Sequence, residues 1–207
     1  MSMLFKALCL IVFLSTFFVS GLAADKRDVS MTKETVGLFI QLDPTNVGKP
    51  LETTEKIYKQ LKAKLLPLGK EPVDFTKAQK DFRTYLREYE GSDRQRNQVT
   101  GVILKSKDLK ALARIEGTRY VIVVSTGVTS SEEKTNIWTG SRKNMTVLTN
   151  VLIYDAETAT FLTDDEYESI GKTSGSYDRA LSRAIEDVLE KIDFGEYFKP
   201  EPIRILR

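Results

Sequence analysis

Glu116-Gly117-Thr118-Arg119-Tyr120-Val121-Ile122-Val123-Val124 is the stretch on which the fold turns. The Gly closes whatever precedes it, and YVIVV is then the most apolar run beyond the N-terminal segment. Such a run, bounded by turn formers, predicts a buried central strand that continues to about Val128. Upstream, the spacing of Leu109, Leu112 and Ala113 predicts a helix through about Ile115, with Ser106 as its cap. Before it, GSDRQRNQ (91–98) reads as a polar loop. A further helix is predicted to about Glu90, capped by Thr76, with Ala78, Phe82, Tyr85, Leu86 and Tyr89 on one side. EPVDF (71–75) reads as a short strand. Ile57, Leu61 and Leu65 recur every four residues and predict a helix over 51–66, which Pro67 and Gly69 end. The turn-rich segment 43–50 separates it from a β-branched strand, TVGLFIQL (35–42).

Downstream of the central run, 129–143 is a polar excursion. MTVLTNVLIY (145–154) then predicts a strand, 155–158 a turn, and 160–170 a returning strand. Ala180, Leu181, Ala184, Ile185, Val188, Leu189 and Ile192 form an i, i+3, i+4, i+7 stripe over 177–192, the mark of an amphipathic helix. The order β-α-β-α-α-β-β-β-α predicts an α/β (α+β) fold with a single mixed sheet packed by helices. The domain is expected to span 35–194, followed by a Pro-containing tail, 195–207.

Composition narrows the chemistry. The 207 residues contain no His and one Cys. Nucleophilic systems that depend on His are therefore excluded, as are His-built zinc and haem sites. With 31 basic and 29 acidic residues, net charge offers no case for nucleic acid or for an acidic membrane.

The N-terminus has the layout of a secretory signal: Lys6, then the apolar stretch ALCLIVFLSTFFV (7–19), then Ser20-Gly21-Leu22-Ala23-Ala24. Cleavage is expected after Ala23, leaving 24–34 as a flexible leader. An uncleaved anchor is the rival reading, because the apolar stretch is close to the length that spans a bilayer. Cleavage would remove Cys9, so no disulfide would remain and the core alone would hold the fold. These features predict Sec-type export to a periplasmic or secreted location, with no stable membrane anchor after cleavage.

Few constellations carry chemistry. Gly171-Lys172-Thr173 lacks the earlier Gly of a phosphate loop, since Glu166 stands there, and reads as a turn feeding a helix. Asp164, Asp165, Glu166 and Glu168 lack the ligand spacing of a calcium loop and read as a solvated strand edge. Asn144-Met145-Thr146 is an N-glycosylation sequon. No catalytic, cofactor or metal residue stands out.

From Gly117-Thr118-Arg119-Tyr120 and its Val/Ile run, through Asp155-x-x-Thr158, to the returning strand and the Ala/Leu-rich helix, the chain resembles a bacterial envelope α/β domain. That domain is shared by the TolB amino-terminal domain, the curli secretion protein CsgG and the LpoB activators of penicillin-binding proteins. The resemblance covers about 35–194. It implies a non-enzymatic domain outside the cytoplasmic membrane that docks on other envelope proteins. The chain departs from the pattern at three points. No Cys occupies a lipidation position. Ala159 stands where the hairpin often has Gly. The 129–144 excursion is too short and polar for a pair of membrane strands, each of about 9–11 alternating residues, so a pore is not expected.

The leading expectation is therefore an exported, soluble interaction module without cofactor, whose partner is another envelope protein. Ile137, Trp138, Arg142 and Lys143 are the candidate contacts, because recognition residues concentrate on loops. Two alternatives remain: a small-molecule or glycan-binding module with a cleft lined by Tyr85, Tyr89 and Trp138, and a metal- or carboxylate-dependent hydrolase.

Overall fold

The computed structural model describes residues 34–43, 47–88, 96–97, 100–138 and 140–198. The expected signal peptide, leader up to residue 33, Tyr89 and the tail from 199 onward lie outside these residues.

β1 (Glu34–Leu42) leads to α1 (Pro50–Leu65), in which Pro50 sits in the first turn, where its missing N–H costs nothing. A single 3-10 turn (Leu66–Leu68) and Gly69 end α1 as expected. β2 (Lys70–Pro72) is shorter than the predicted 71–75 strand and starts one residue earlier, because Phe75 already belongs to α2 (Phe75–Glu88). The cap of α2 is Asp74 rather than Thr76: its carboxylate accepts from the Lys77 N–H at 3.0 Å. Within the expected loop 91–98, a two-residue strand β3 (Arg96–Asn97) pairs with β4 (Gly101–Val102). α3 follows (Ser106–Glu116), then β5 (Tyr120–Asn136), β6 (Gly140–Asp155), β7 (Thr160–Thr173), α4 (Tyr177–Lys191) and a final 3-10 turn (Phe194–Glu196). Ser106 is the first residue of α3 rather than its cap. Asp108 serves the helix start, accepting from the Lys105 N–H at 2.9 Å.

The main sheet has the order β2-β1-β5-β6-β7. β1 runs parallel to β2 and β5, while β5, β6 and β7 form an antiparallel meander. This is the mixed sheet expected from the element order. Strand period two sends alternate residues to opposite faces. One face carries Val36, Leu38, Ile40, Ile122, Val124, Val151 and Ile153, packed under α1 and α4. The other carries Phe39, Val121, Val123, Leu152 and Tyr154, packed under α2 and α3. The five-residue run YVIVV is apolar throughout because the strand is covered on both faces.

Three details close the first face. Gly171 lies against α4 so tightly that a Cβ there would stand 1.8 Å from the Ala180 carbonyl oxygen. Phe194, 1% exposed, seats the predicted domain end in the core, and Phe198, 6% exposed, extends the core past it. The Tyr197 hydroxyl donates to Asp165 on β7, which pushes the Tyr197 pKa up to about 12. The sheet edges are also occupied by side chains. Where β2 stops, the Gln79 amide from α2 faces the Ile40 peptide, accepting from its N–H at 2.9 Å and donating to its carbonyl at 3.1 Å. On β7, Arg183 donates to the Lys172 carbonyl at 2.6 Å and Lys191 to the Glu168 carbonyl at 3.4 Å.

Candidate functional site: the β5–β6 arm

The expected polar excursion is not a loop. β5 continues to Asn136 and β6 begins at Gly140, so 129–143 is the outer half of a hairpin. The β5 half escapes detection in the sequence because both of its faces are wet: every residue from Thr129 to Thr135 is exposed. With no buried side there is no hydrophobic alternation to read.

Register fixes where the arm leaves the body. The last β1 partner of β5 is Thr126, opposite Leu42. From Gly127 onward β5 has, among the described residues, only β6 beside it, and a bulge between Val128 and Ser130 bends the ladder. β7 supports β6 out to Lys143, where Thr173 is the last partner. Past that point only the pairs Lys134–Arg142, Thr135–Ser141 and Asn136–Gly140 remain, and at about 3.3 Å per residue they carry the tip roughly 10 Å beyond the end of β7. Ser130 and Thr146 hydroxyls bond across the strands at 3.0 Å, and the Ser141 hydroxyl donates to Glu133. The tip is a three-residue connection, 137–139, closed by Gly140 at φ +77°. Hairpins of this length close on a left-handed residue, and Gly takes that conformation without strain.

Ile137 and Trp138 stand at this tip, 96% and 92% exposed. They are the most exposed of the large apolar side chains among the described residues. Of the expected contact set, the structure brings these two together and separates the other two. Arg142 pairs with Lys134 and is exposed, whereas Lys143 pairs with Thr173 on the opposite face of the sheet. Adjacent strand residues always point to opposite faces. The Lys143 ammonium lies 4.9 Å from the Tyr177 ring at the start of α4, so it serves the body of the domain.

The proposed aromatic cleft does not form from Tyr85 and Trp138. Tyr85 is 5% exposed and its hydroxyl bonds the Asp108 carboxylate at 2.8 Å, in the core beneath α2 and α3. Tyr89 lies outside the described residues. Among the described residues, no group of three His, Cys, Asp or Glu side chains could hold a metal ion. Gly171-Lys172-Thr173 is the end of β7; Thr173 accepts from the Gly175 N–H at 3.1 Å, and Ser176 caps α4 by accepting from the Arg179 N–H at 3.2 Å. No described helix is long and apolar enough to cross a membrane.

The Asp155-x-x-Thr158 pattern has a structural explanation. Asp155, 3% exposed, accepts from the Arg119 guanidinium at 2.8–3.2 Å and from the N–H groups of Glu157 and Thr158 at 2.9 and 3.4 Å. Burial alone would push its pKa up, but the guanidinium and the two peptide donors outweigh it and hold the carboxyl below the ordinary range. The pattern thus ties the β6–β7 turn to the start of β5.

No family model matches the chain, and no curated protein does. Solved structures are similar to the chain at low identity. Lipoprotein GNA1162 from Neisseria meningitidis is 12% identical, with 76% of this chain and 96% of that chain covered and a TM-score of 0.43. The hypothetical protein CT253 from Chlamydia trachomatis is 9% identical, with 81% and 98% covered and a TM-score of 0.44. The LpoB C-terminal domain from Salmonella enterica is 10% identical, with 68% and 85% covered and a TM-score of 0.33.

Proposed function

We propose that the chain is an exported envelope protein without enzymatic activity, which works by docking the tip of its β5–β6 arm on another envelope protein. The observation that carries this reading is the placement of Ile137 and Trp138. Two large apolar side chains stand 96% and 92% exposed at the end of an otherwise polar arm. Exposing them costs solubility and contributes nothing to the core of the free chain, whereas a Trp seated in a partner's pocket is among the commonest binding hot spots. The arm itself suits the task, because a β-hairpin braced by a third strand presents its tip at little cost in ordering on binding. The signal-like N-terminus supports an envelope location.

The test is a photo-reactive amino acid placed at position 138 of the full chain in its own cells, with position 62 on α1 as control. A discrete adduct with an envelope protein at 138, lost in an Ile137→Ala background and absent at 62, is the expected result. Equal labelling at the two positions would sink the reading.

A further inference from the structure

The two helical layers differ in how they handle charge. On α1 and α4, Lys56 pairs with Glu186 at 2.6 Å, Lys59 with Glu55 at 2.7 Å and Lys191 with Asp187 at 2.7 Å, while Lys62, Lys64, Arg179 and Arg183 form no ion pair among the described residues; on α2 and α3 only Lys77 is paired, with Asp81 and Glu116. On α2 and α3 the outward surface carries Lys80, Arg83, Arg87, Lys107, Lys110 and Arg114, all exposed. None of these six forms an ion pair among the described residues. Helical spacing places them opposite the buried Ala78, Phe82 and Tyr85 of α2 and the buried Leu109, Leu112 and Ala113 of α3. The top of this layer is therefore a basic surface.

The face under α2 and α3 is also only half covered. These helices roof β1, β5 and the Leu152–Tyr154 end of β6. Beyond them, the same face of β7 displays Phe161, Asp164, Glu166, Glu168 and Ile170, all exposed. Asp164 is held by the Asn150 amide at 2.7 Å, and neither Glu166 nor Glu168 has an ion-pair partner among the described residues. Phe161 and Ile170, 44% and 52% exposed, bracket the acidic row. One side of the molecule is thus a step about one helix diameter high, roughly 10 Å. Its upper level is basic and its lower level acidic with an apolar margin.

We infer that a second copy of the chain covers the lower level, packed face to face about a two-fold axis. The acidic row of each copy then lies beneath the basic helices of the other. Both levels face the same way, so a single two-fold operation satisfies both contacts at once and closes the assembly. Each copy's helices fill the other's step, covering Phe161 and Ile170. Charges exposed on the monomer are screened by salt, so the association weakens as ionic strength rises.

Sedimentation velocity of the full chain, purified with whatever processing its cells perform, tests this. At low salt, about 50 mM, the chain should shift from one copy to two as concentration rises, and the shift should weaken at about 500 mM. Two double variants decide the geometry: Glu166→Lys with Glu168→Lys, and Arg83→Glu with Arg87→Glu. Each alone should need at least tenfold more protein to pair, with an unchanged melting temperature. An equimolar mixture of the two should pair again, because both contacts in the mixed pair regain opposite charges. A chain that stays monomeric at every concentration overturns the inference, and its capture by anionic vesicles through Arg83 and Arg87 would assign the basic surface to lipid instead. Pairing that survives in both variants, or a mixture that fails to pair, overturns it as well.

Discussion

The two faces of the sheet are built from the same strands, yet they are finished differently. The face under α1 and α4 is closed from β1 to β7, down to the contact of Gly171 with the Ala180 backbone and the seating of Phe194 and Phe198. The face under α2 and α3 is closed over β1 and β5 and open over β7. Adjacent residues of β7 belong to the two regimes: Gly171 meets helix backbone, while Ile170 is 52% exposed. Stability is therefore expected to concentrate on the first face, leaving the second free to vary in charge. A closed face constrains each residue by volume, whereas an open one constrains it only by what comes to cover it.

The largest effect should come from filling the closed face. Gly171→Val must displace α4 or β7 and is expected to cost about 3 kcal/mol in chemical denaturation. The neighbouring Ile170→Ser should change the same measurement by less than about 0.5 kcal/mol. Similar costs for the two would erase the distinction between the faces.

Next comes the turn that holds the meander to the start of β5. Asp155→Ala leaves two peptide N–H groups without their acceptor and reduces the Arg119 guanidinium to its exposed pairing with Glu157, and should cost about 2 kcal/mol. The pH dependence has a definite sign. The folded pKa of Asp155 lies below its unfolded value, near about 3.9. Its contribution is therefore present above that value and disappears as pH falls through the depressed folded pKa. Asp155→Asn should flatten the acid limb of a stability–pH curve, and an unchanged limb would assign acid sensitivity to other carboxylates.

A smaller gain is expected at Ala159, the only non-glycine residue with positive φ among those described, at +57°. An L side chain is strained there, so Ala159→Gly should raise stability by about 0.5–1 kcal/mol. A loss would mean that glycine's entropy in the unfolded chain outweighs the relief. Smallest of all, Trp138→Ala should shift stability by less than about 0.5 kcal/mol, while abolishing the adduct formed from a photo-reactive residue at the neighbouring position 137.

Much of the closed face is legible in the sequence, because burial imposes a period. The stripe from Ala180 to Ile192 and the spacing of Ile57, Leu61 and Leu65 mark faces that are in fact buried. Residues 129–135 carry no such period, since a strand wet on both sides looks like a loop. The pairing of Lys134 with Arg142, and the separation of Arg142 from Lys143, depend on register, which only the assembled ladder fixes. The β3–β4 pair is too short to leave any pattern. Asp74 is hidden as a cap by the equally suitable Thr76 two residues later. Net charge conceals the segregation of charge: near-equal totals hide a basic upper level and an acidic row on the same side of the molecule.

Arg183 and Lys191 have a consequence for the order in which the chain is made. They occupy carbonyls of β7, the last strand of the sheet, which has no strand beyond it among the described residues. Both belong to α4, which leaves the ribosome after β7 does. Until α4 docks, the meander can form with a fourteen-residue strand whose backbone is open to any passing strand. Lesions that delay α4 should therefore act as aggregation lesions, and at a lower protein concentration than lesions of equal thermodynamic cost in α3.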